Sequence, residues 1–124
     1  MKTQLTAEQS AKLIELGVGP ERASERTPDY TDINNTGKPL ERRELLPIFT
    51  LADILDILPE THDAKGESAR LQMYNHPAGY WIVSYVTYDG GTLTYQSPCS
   101  TGKELIDALY SLLVWCLGKG YVKV

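Results

Sequence analysis

Two cysteines, two histidines and 16 acidic side chains are the reactive stock of this 124-residue chain. Cys99 lies in Ser97-Pro98-Cys99-Ser100, just ahead of a predicted helix start. A thiol there feels the positive end of the helix, which favours the thiolate. With His62 or His76 as base it would form the nucleophile–base pair of a small cysteine-dependent hydrolase. No cysteine-enzyme signature surrounds it, and an ordinary loop or partly buried cysteine is the preferred reading. Cys116 falls on an apolar stripe and reads as core.

The other polar combinations are accounted for structurally. His62-Asp63 and His76 lack a ligand spacing such as His-x-x-x-His or Cys-x-x-Cys, so neither metal nor cofactor is expected. Asp53 and Asp56, three apart, share a helix face as acid–base pairs do. Asp53, however, is used at the helix start, and Asp56 reads as solvent-facing. Gly90-Gly91 and Thr101-Gly102-Lys103 echo phosphate loops without the Gly-x-x-x-x-Gly-Lys spacing; a hairpin turn and a helix start explain them. No residue is assigned a catalytic role.

The aromatic residues stand out instead. Tyr74, Tyr80, Trp81, Tyr85, Tyr88 and Tyr95 crowd one stretch of sequence. On a pleated strand Trp81, Val83, Tyr85 and Thr87 point one way, and Tyr80, Ile82, Ser84, Val86 and Tyr88 the other. The first set carries the larger aromatic payload and is expected to meet the last helix. The second faces the N-terminal helices, another subunit or a partner. The candidate partner surface is Tyr74, Tyr80, Ile82, Tyr88 and Tyr95. Tyrosines with a buried ring and a wet hydroxyl suit protein interfaces and sugar stacking.

These residues need a frame. Thr6 to Leu16 reads as a helix, with Thr6 and Gln9 at capping-box spacing and Gly17 past its end. Thr50 to Leu58 is a second, with Thr50 and Asp53 as the box, Phe49 packing on Ile54, and Pro59 as the stop. Residues 20–47 read as an irregular or partly mobile segment, in which Pro39 to Leu45 is open to a helical turn or an extended run. Thr61 to Ser68 reads as a loop. Three strands follow: Ala69 to Asn75, Tyr80 to Tyr88, and Thr92 to Ser97, joined by turns at Pro77-Ala78-Gly79 and Asp89-Gly90-Gly91. Gly102 to Leu117 is the last helix, with Thr101 and Glu104 as its box and Leu105, Leu109, Leu112, Leu113 and Cys116 as its stripe. Tyr121 to Val124 is a tail that packs or adds a strand. The expected fold is one α+β domain over 1–124, in the order ααβββα. A three-stranded antiparallel meander is packed by the C-terminal helix, with two short N-terminal helices.

Composition agrees with this frame. Apolar residues make up 42% and charged residues 23%, an ordinary globular balance. The net charge of −4 disfavours a general nucleic-acid or anionic-membrane binder. The longest apolar run, Leu112 to Leu117, is far short of a membrane span. The start, Met1-Lys2-Thr3-Gln4-Leu5, has no apolar stretch of the secretory kind, and the few cysteines suit a reducing cytoplasm. Residues 1–68 hold 8 basic and 13 acidic side chains; residues 69–124 hold 4 and 3. The hydrophobic centre is therefore expected in the second half.

Three segments carry a resemblance: Ile48 to Pro59 (IFTLADILDILP), Tyr80 to Tyr85 (YWIVSY) and Leu105 to Leu117 (LIDALYSLLVWCL). In this order, after the opening Leu5-Thr6-Ala7-Glu8-Gln9 and Glu15-Leu16-Gly17-Val18, the chain resembles small bacterial proteins of prophages and other mobile elements, a group of unassigned function. These are packing motifs, so the resemblance implies a shared fold and carries no catalytic residue. Three functions are expected from the whole: a non-enzymatic protein-interaction or accessory protein of a mobile element, with self-association open; a cysteine-dependent hydrolase using Cys99; and a single-strand nucleic-acid binder stacking bases on its tyrosines. The first is preferred, because no polar groups converge.

Overall fold

The computed structural model describes residues 2–28, 45–64 and 67–122. Along them run α1 (Ala7–Glu15), a 3-10 turn (Pro20–Arg22), β1 (Glu25–Pro28), β2 (Leu45–Ile48), α2 (Leu51–Ile57), β3 (Thr61–Ala64), β4 (Glu67–His76), β5 (Tyr80–Asp89), β6 (Thr92–Gln96), β7 (Ser100–Gly102) and α3 (Leu105–Lys119). The class is α+β, but the strands exceed a simple meander. β1 and β2 form an antiparallel ribbon, and β3 to β7 form a five-stranded sheet. The expected helical turn at Pro39 to Leu45 falls largely outside the described residues.

The first two helices start as their sequences dictate. Thr6 Oγ1 accepts the Gln9 N–H at 3.1 Å, and Gln9 Oε1 accepts the Thr6 N–H at 3.0 Å. Thr50 Oγ1 accepts the Asp53 N–H at 3.2 Å, and Asp53 Oδ2 accepts the Thr50 N–H at 2.9 Å. The expected box at Thr101 and Glu104 does not form. Thr101 is committed to β7, where it sits opposite Ile82, and α3 begins from Glu104 without a side-chain cap. The N-terminal segment supplies the missing order. The Lys2 N–H donates to Glu104 Oε2 at 3.0 Å, and Lys2 Nζ meets Asp107 Oδ1 at 2.7 Å. Gly102 is also required there: a Cβ would lie 2.8 Å from the Ala108 nitrogen and 3.0 Å from the Glu104 oxygen. Only a residue without a side chain lets β7 approach the start of α3 so closely.

β5 is the centre of the sheet. β4 pairs with it on one side, from Arg70↔Val86 to His76↔Tyr80. The other side is shared, with β7 against Trp81 to Val83 and β6 against Val86 to Asp89. Between them the chain leaves the ladder at Ser97-Pro98-Cys99. Pro98 has no N–H to give, and Ser97 patches the gap. The Ser97 N–H donates to the Tyr85 carbonyl at 2.8 Å, and Ser97 Oγ accepts the Tyr85 N–H at 2.9 Å. Gly90 and Gly91 both hold positive φ, 58° and 85°, the mirror-image turn that suits a two-residue hairpin.

The inner face of β5 meets α3 as expected. Val83 and Tyr85 are fully buried with Ile106, Leu109, Leu112, Leu113 and Cys116, and Trp81 packs against that core. The core also takes in Leu5, Leu13 and Val18 from the N-terminal part, and Phe49, Ile54, Ile57 and Leu58 around α2. The hydrophobic centre thus draws on both halves of the chain rather than the second alone. At the end of α3 the Tyr121 N–H returns to the Cys116 carbonyl at 3.0 Å, and the rings of Tyr121 and Trp115 lie 5.3 Å apart. The tail therefore packs through Tyr121 and Val122; Lys123 and Val124 lie outside the described residues. Among the described residues no helix is long and apolar enough to cross a membrane.

Asp53 does more than close its cap. Its Oδ2 also accepts the N–H and hydroxyl of Ser24, each at 2.8 Å, joining α2 to the segment before β1. Partial burial pushes this carboxyl up, but the donors from Thr50 and Ser24 outweigh it and hold it below the usual value. Its contribution to stability is therefore complete above the unfolded carboxylate value of about 3.9 and fades as pH falls through the folded one. We expect Asp53→Asn to cost about 1–2 kcal/mol at neutral pH and far less in acid, read from urea melts at both pH values. An equal cost in acid would contradict the assignment.

Candidate functional site

The outer face of the sheet is laid down by the alternation of β4 and β5. Arg70, Gln72, Tyr74 and His76 share it with Val86, Ser84, Ile82 and Tyr80, to which they are directly paired. Tyr88 continues the β5 row. Among the described residues this face gives nothing to the core cluster. Tyr74 and Tyr88 are 50% and 52% exposed, and Tyr80 and Ile82 are half-buried. Ser84 and Val86, the short side chains midway, are buried.

Tyr74, Tyr80, Ile82 and Tyr88 are therefore where the alternation puts them, but Tyr95 is not. With the two-glycine turn alone, Tyr95 would lie opposite Val86 and face outward. The register shifts between Thr87 and Tyr88, which brings Tyr95 opposite Thr87 and against the core. One extra residue in β6 reverses every side chain beyond it. The aromatics consequently do not form one cluster. Trp81, Tyr85 and Tyr95 lie inward, and Tyr74 and Tyr80 occupy one end of the outer face. Tyr88 is at the other end, about 20 Å along the strand from the Tyr74 row and about 26 Å from Tyr80.

The end nearest the β4–β5 turn is preorganised. His76 stacks on Tyr80 with ring centres 4.6 Å apart, and Tyr74 meets His76 edge-on at 6.0 Å. The Ala78 N–H donates to His76 Nδ1 at 3.0 Å, so the neutral imidazole carries its proton on Nε2. His76 is thereby engaged as a turn clamp. At the other end Gln72 Nε2 donates to the Tyr88 hydroxyl at 3.4 Å. Ser68, Arg70, Gln72, Val86 and Tyr88 line a shallow cavity of about 510 Å³. Arg70 and Gln72 are the residues that attention to aromatics alone passes over; the same alternation that places Tyr74 places them.

Cys99 is exposed at the break between β6 and β7. It lies in a strand-to-strand connection, ahead of β7, and not at the start of α3 as the sequence suggested. Gln96 Nε2 donates to its Sγ at 3.1 Å and to Ser84 Oγ at 3.4 Å. His76, at the far turn of β4, has Ala78, Tyr74 and Tyr80 for neighbours; the His62 side chain lies outside the described residues. Cys116 is buried beside Tyr85, and burial pushes its thiol up to about 11. Among the described residues no three His, Cys, Asp or Glu side chains gather closely enough to hold a metal ion. Asp53 is spent on the α2 cap, while Arg22 reaches Asp56 at 3.7 Å. Compared with protein families, curated proteins and solved structures, the chain matches none.

The two thiols should separate cleanly. In a disulfide-exchange assay at neutral pH we expect Cys99 to react within minutes and Cys116 only after denaturation, with Cys99→Ser abolishing the fast phase. Two fast thiols, or none, would contradict the burial of one and exposure of the other.

Proposed function

We propose that this chain is a non-enzymatic interaction domain, an accessory or adaptor protein of a mobile element, which docks a protein partner on the outer face of β4 and β5. What carries the reading is the half-exposed row of Tyr74, Tyr80, Ile82 and Tyr88 on strands held rigid from behind by α3. Tyrosine brings a large apolar ring at small entropic cost and keeps a hydroxyl for the wet rim of an interface. A sheet fixes such side chains before the partner arrives, so little ordering cost falls on binding.

Dimensions set the affinity class. β4 and β5 are 10 residues each, about 33 Å long at the usual rise. With β6 alongside, the face spans a few hundred Å², at the small end of specific interfaces. A transient partner fits it better than a permanent one.

The test is capture from a lysate of the source cell with wild-type protein and with Tyr74→Ala/Tyr88→Ala as the control bait, both checked for native melting. Both positions are exposed, so the fold should survive. A specific protein held by wild type and lost from the double variant is expected. The same proteins on both baits, or none on either, would refute the reading.

A further inference from the structure

Resting on that reading, we infer that the partner's docking segment is acidic, and that it places a carboxylate on Arg70 beside an apolar side chain lying over Val86 and against Tyr88. Arg70 is exposed in the middle of β4, opposite Val86. Among the described side chains of the outer row it is the one formal charge, and it makes no ion pair or hydrogen bond there. Other long polar side chains of this face are engaged: Gln72 with Tyr88, and Gln96 with Ser84 and Cys99. A planar guanidinium with five donors, unpaired among the described residues, suits a bidentate carboxylate.

The surroundings narrow the ligand. The cavity of about 510 Å³ brings the Ser68 hydroxyl, the Gln72 amide and the Tyr88 phenol to the same place as Arg70, with Val86 beside them. Two hydroxyls and an amide can complete the hydrogen bonding of an anion, and the ring and the valine offer an apolar wall. Arg70 also borders a second cavity of about 390 Å³, shared with Glu60 and Thr61, but Glu60 is not within ion-pair distance of it. Among the described residues of this face Arg70 is a single cation, too few for a nucleic-acid strand, whose affinity comes from several phosphate contacts. An acidic peptide segment with a neighbouring aromatic or aliphatic residue satisfies both the charge and the wall.

The experiment is selection of phage-displayed random peptides, about a dozen residues long, on the immobilised full-length chain. Binding of the enriched peptides is then measured on wild type, Arg70→Gln, Arg70→Glu and Tyr74→Ala, with inorganic phosphate and oligo(dT) as competitors. We expect enrichment of Asp or Glu next to an apolar residue, at least about a tenfold loss on Arg70→Gln, and basic peptides when selection is repeated on Arg70→Glu. The charge-reversed variant guards against misfolding, since it must still select ligands. Peptides that depend on Tyr74 but bind Arg70→Gln equally would overturn this inference and leave the docking face standing. No peptide depending on any outer-face residue would overturn both. Displacement by oligo(dT) well below the phosphate concentration needed would assign the site to nucleic acid and overturn the inference.

Discussion

Tyr85 is the residue around which this fold closes. Its ring is fully buried at the middle of β5, and its hydroxyl donates to the Pro59 carbonyl at 2.6 Å, just past the end of α2. Its backbone N–H is taken by Ser97 Oγ, where β6 ends, and its side chain lies against Cys116 of α3. Sheet, middle helix and last helix thus meet at one side chain. Burying a ring of this size is worth a few kcal/mol, and leaving its hydroxyl or the Pro59 carbonyl unpaired would return a good part of that. The surroundings push the phenol well above its usual range, so it remains a neutral donor.

That commitment decides what the other face is free to do. α3 covers the inner row of β5, α2 packs on α3, and α1 packs on β2. Among the described elements none of this packing draws on the outer row, where Ser84 and Val86 lie low between taller neighbours while Tyr74 and Tyr88 stand half in water. An antiparallel sheet tolerates one wet face, but ordinarily fills it with small and charged residues. Here, among the described residues, the wet face carries Tyr74, Tyr80, Ile82, Tyr88 and Arg70 beside Gln72, His76, Ser84 and Val86, the mixture on which the proposed docking rests.

Much of the frame was legible. The capping boxes at Thr6 and Thr50 depend on neighbours three residues away, so spacing suffices to find them. The division of β5 into two faces follows from alternation, and the inner face went to the last helix because it holds the larger rings. What escaped depends on distant pairing. Thr61 to Ala64 lacks apolar alternation, and only its pairing with β4 makes it the edge strand β3. β1 and β2 are four-residue strands, each containing a proline, and fall almost wholly in the 20–47 segment read as irregular, because nothing local marks them until they pair with each other. Ser100 to Gly102 was spent as a helix start because Thr101 and Glu104 imitate a box, whereas pairing with Trp81 to Val83 claims those residues first. Tyr95 was assigned to the wrong face by a single inserted residue in β6, which no local pattern announces.

The account turns on which tyrosines water can reach. Hydroxyl-radical footprinting of the full-length chain, read residue by residue by mass spectrometry, measures this directly. The structure predicts strong labelling of Tyr74 and Tyr88 and protection of Tyr85 until the protein unfolds. Tyr74 and Tyr88 protected to the level of Tyr85 would mean that the outer face is already covered, and would contradict the account.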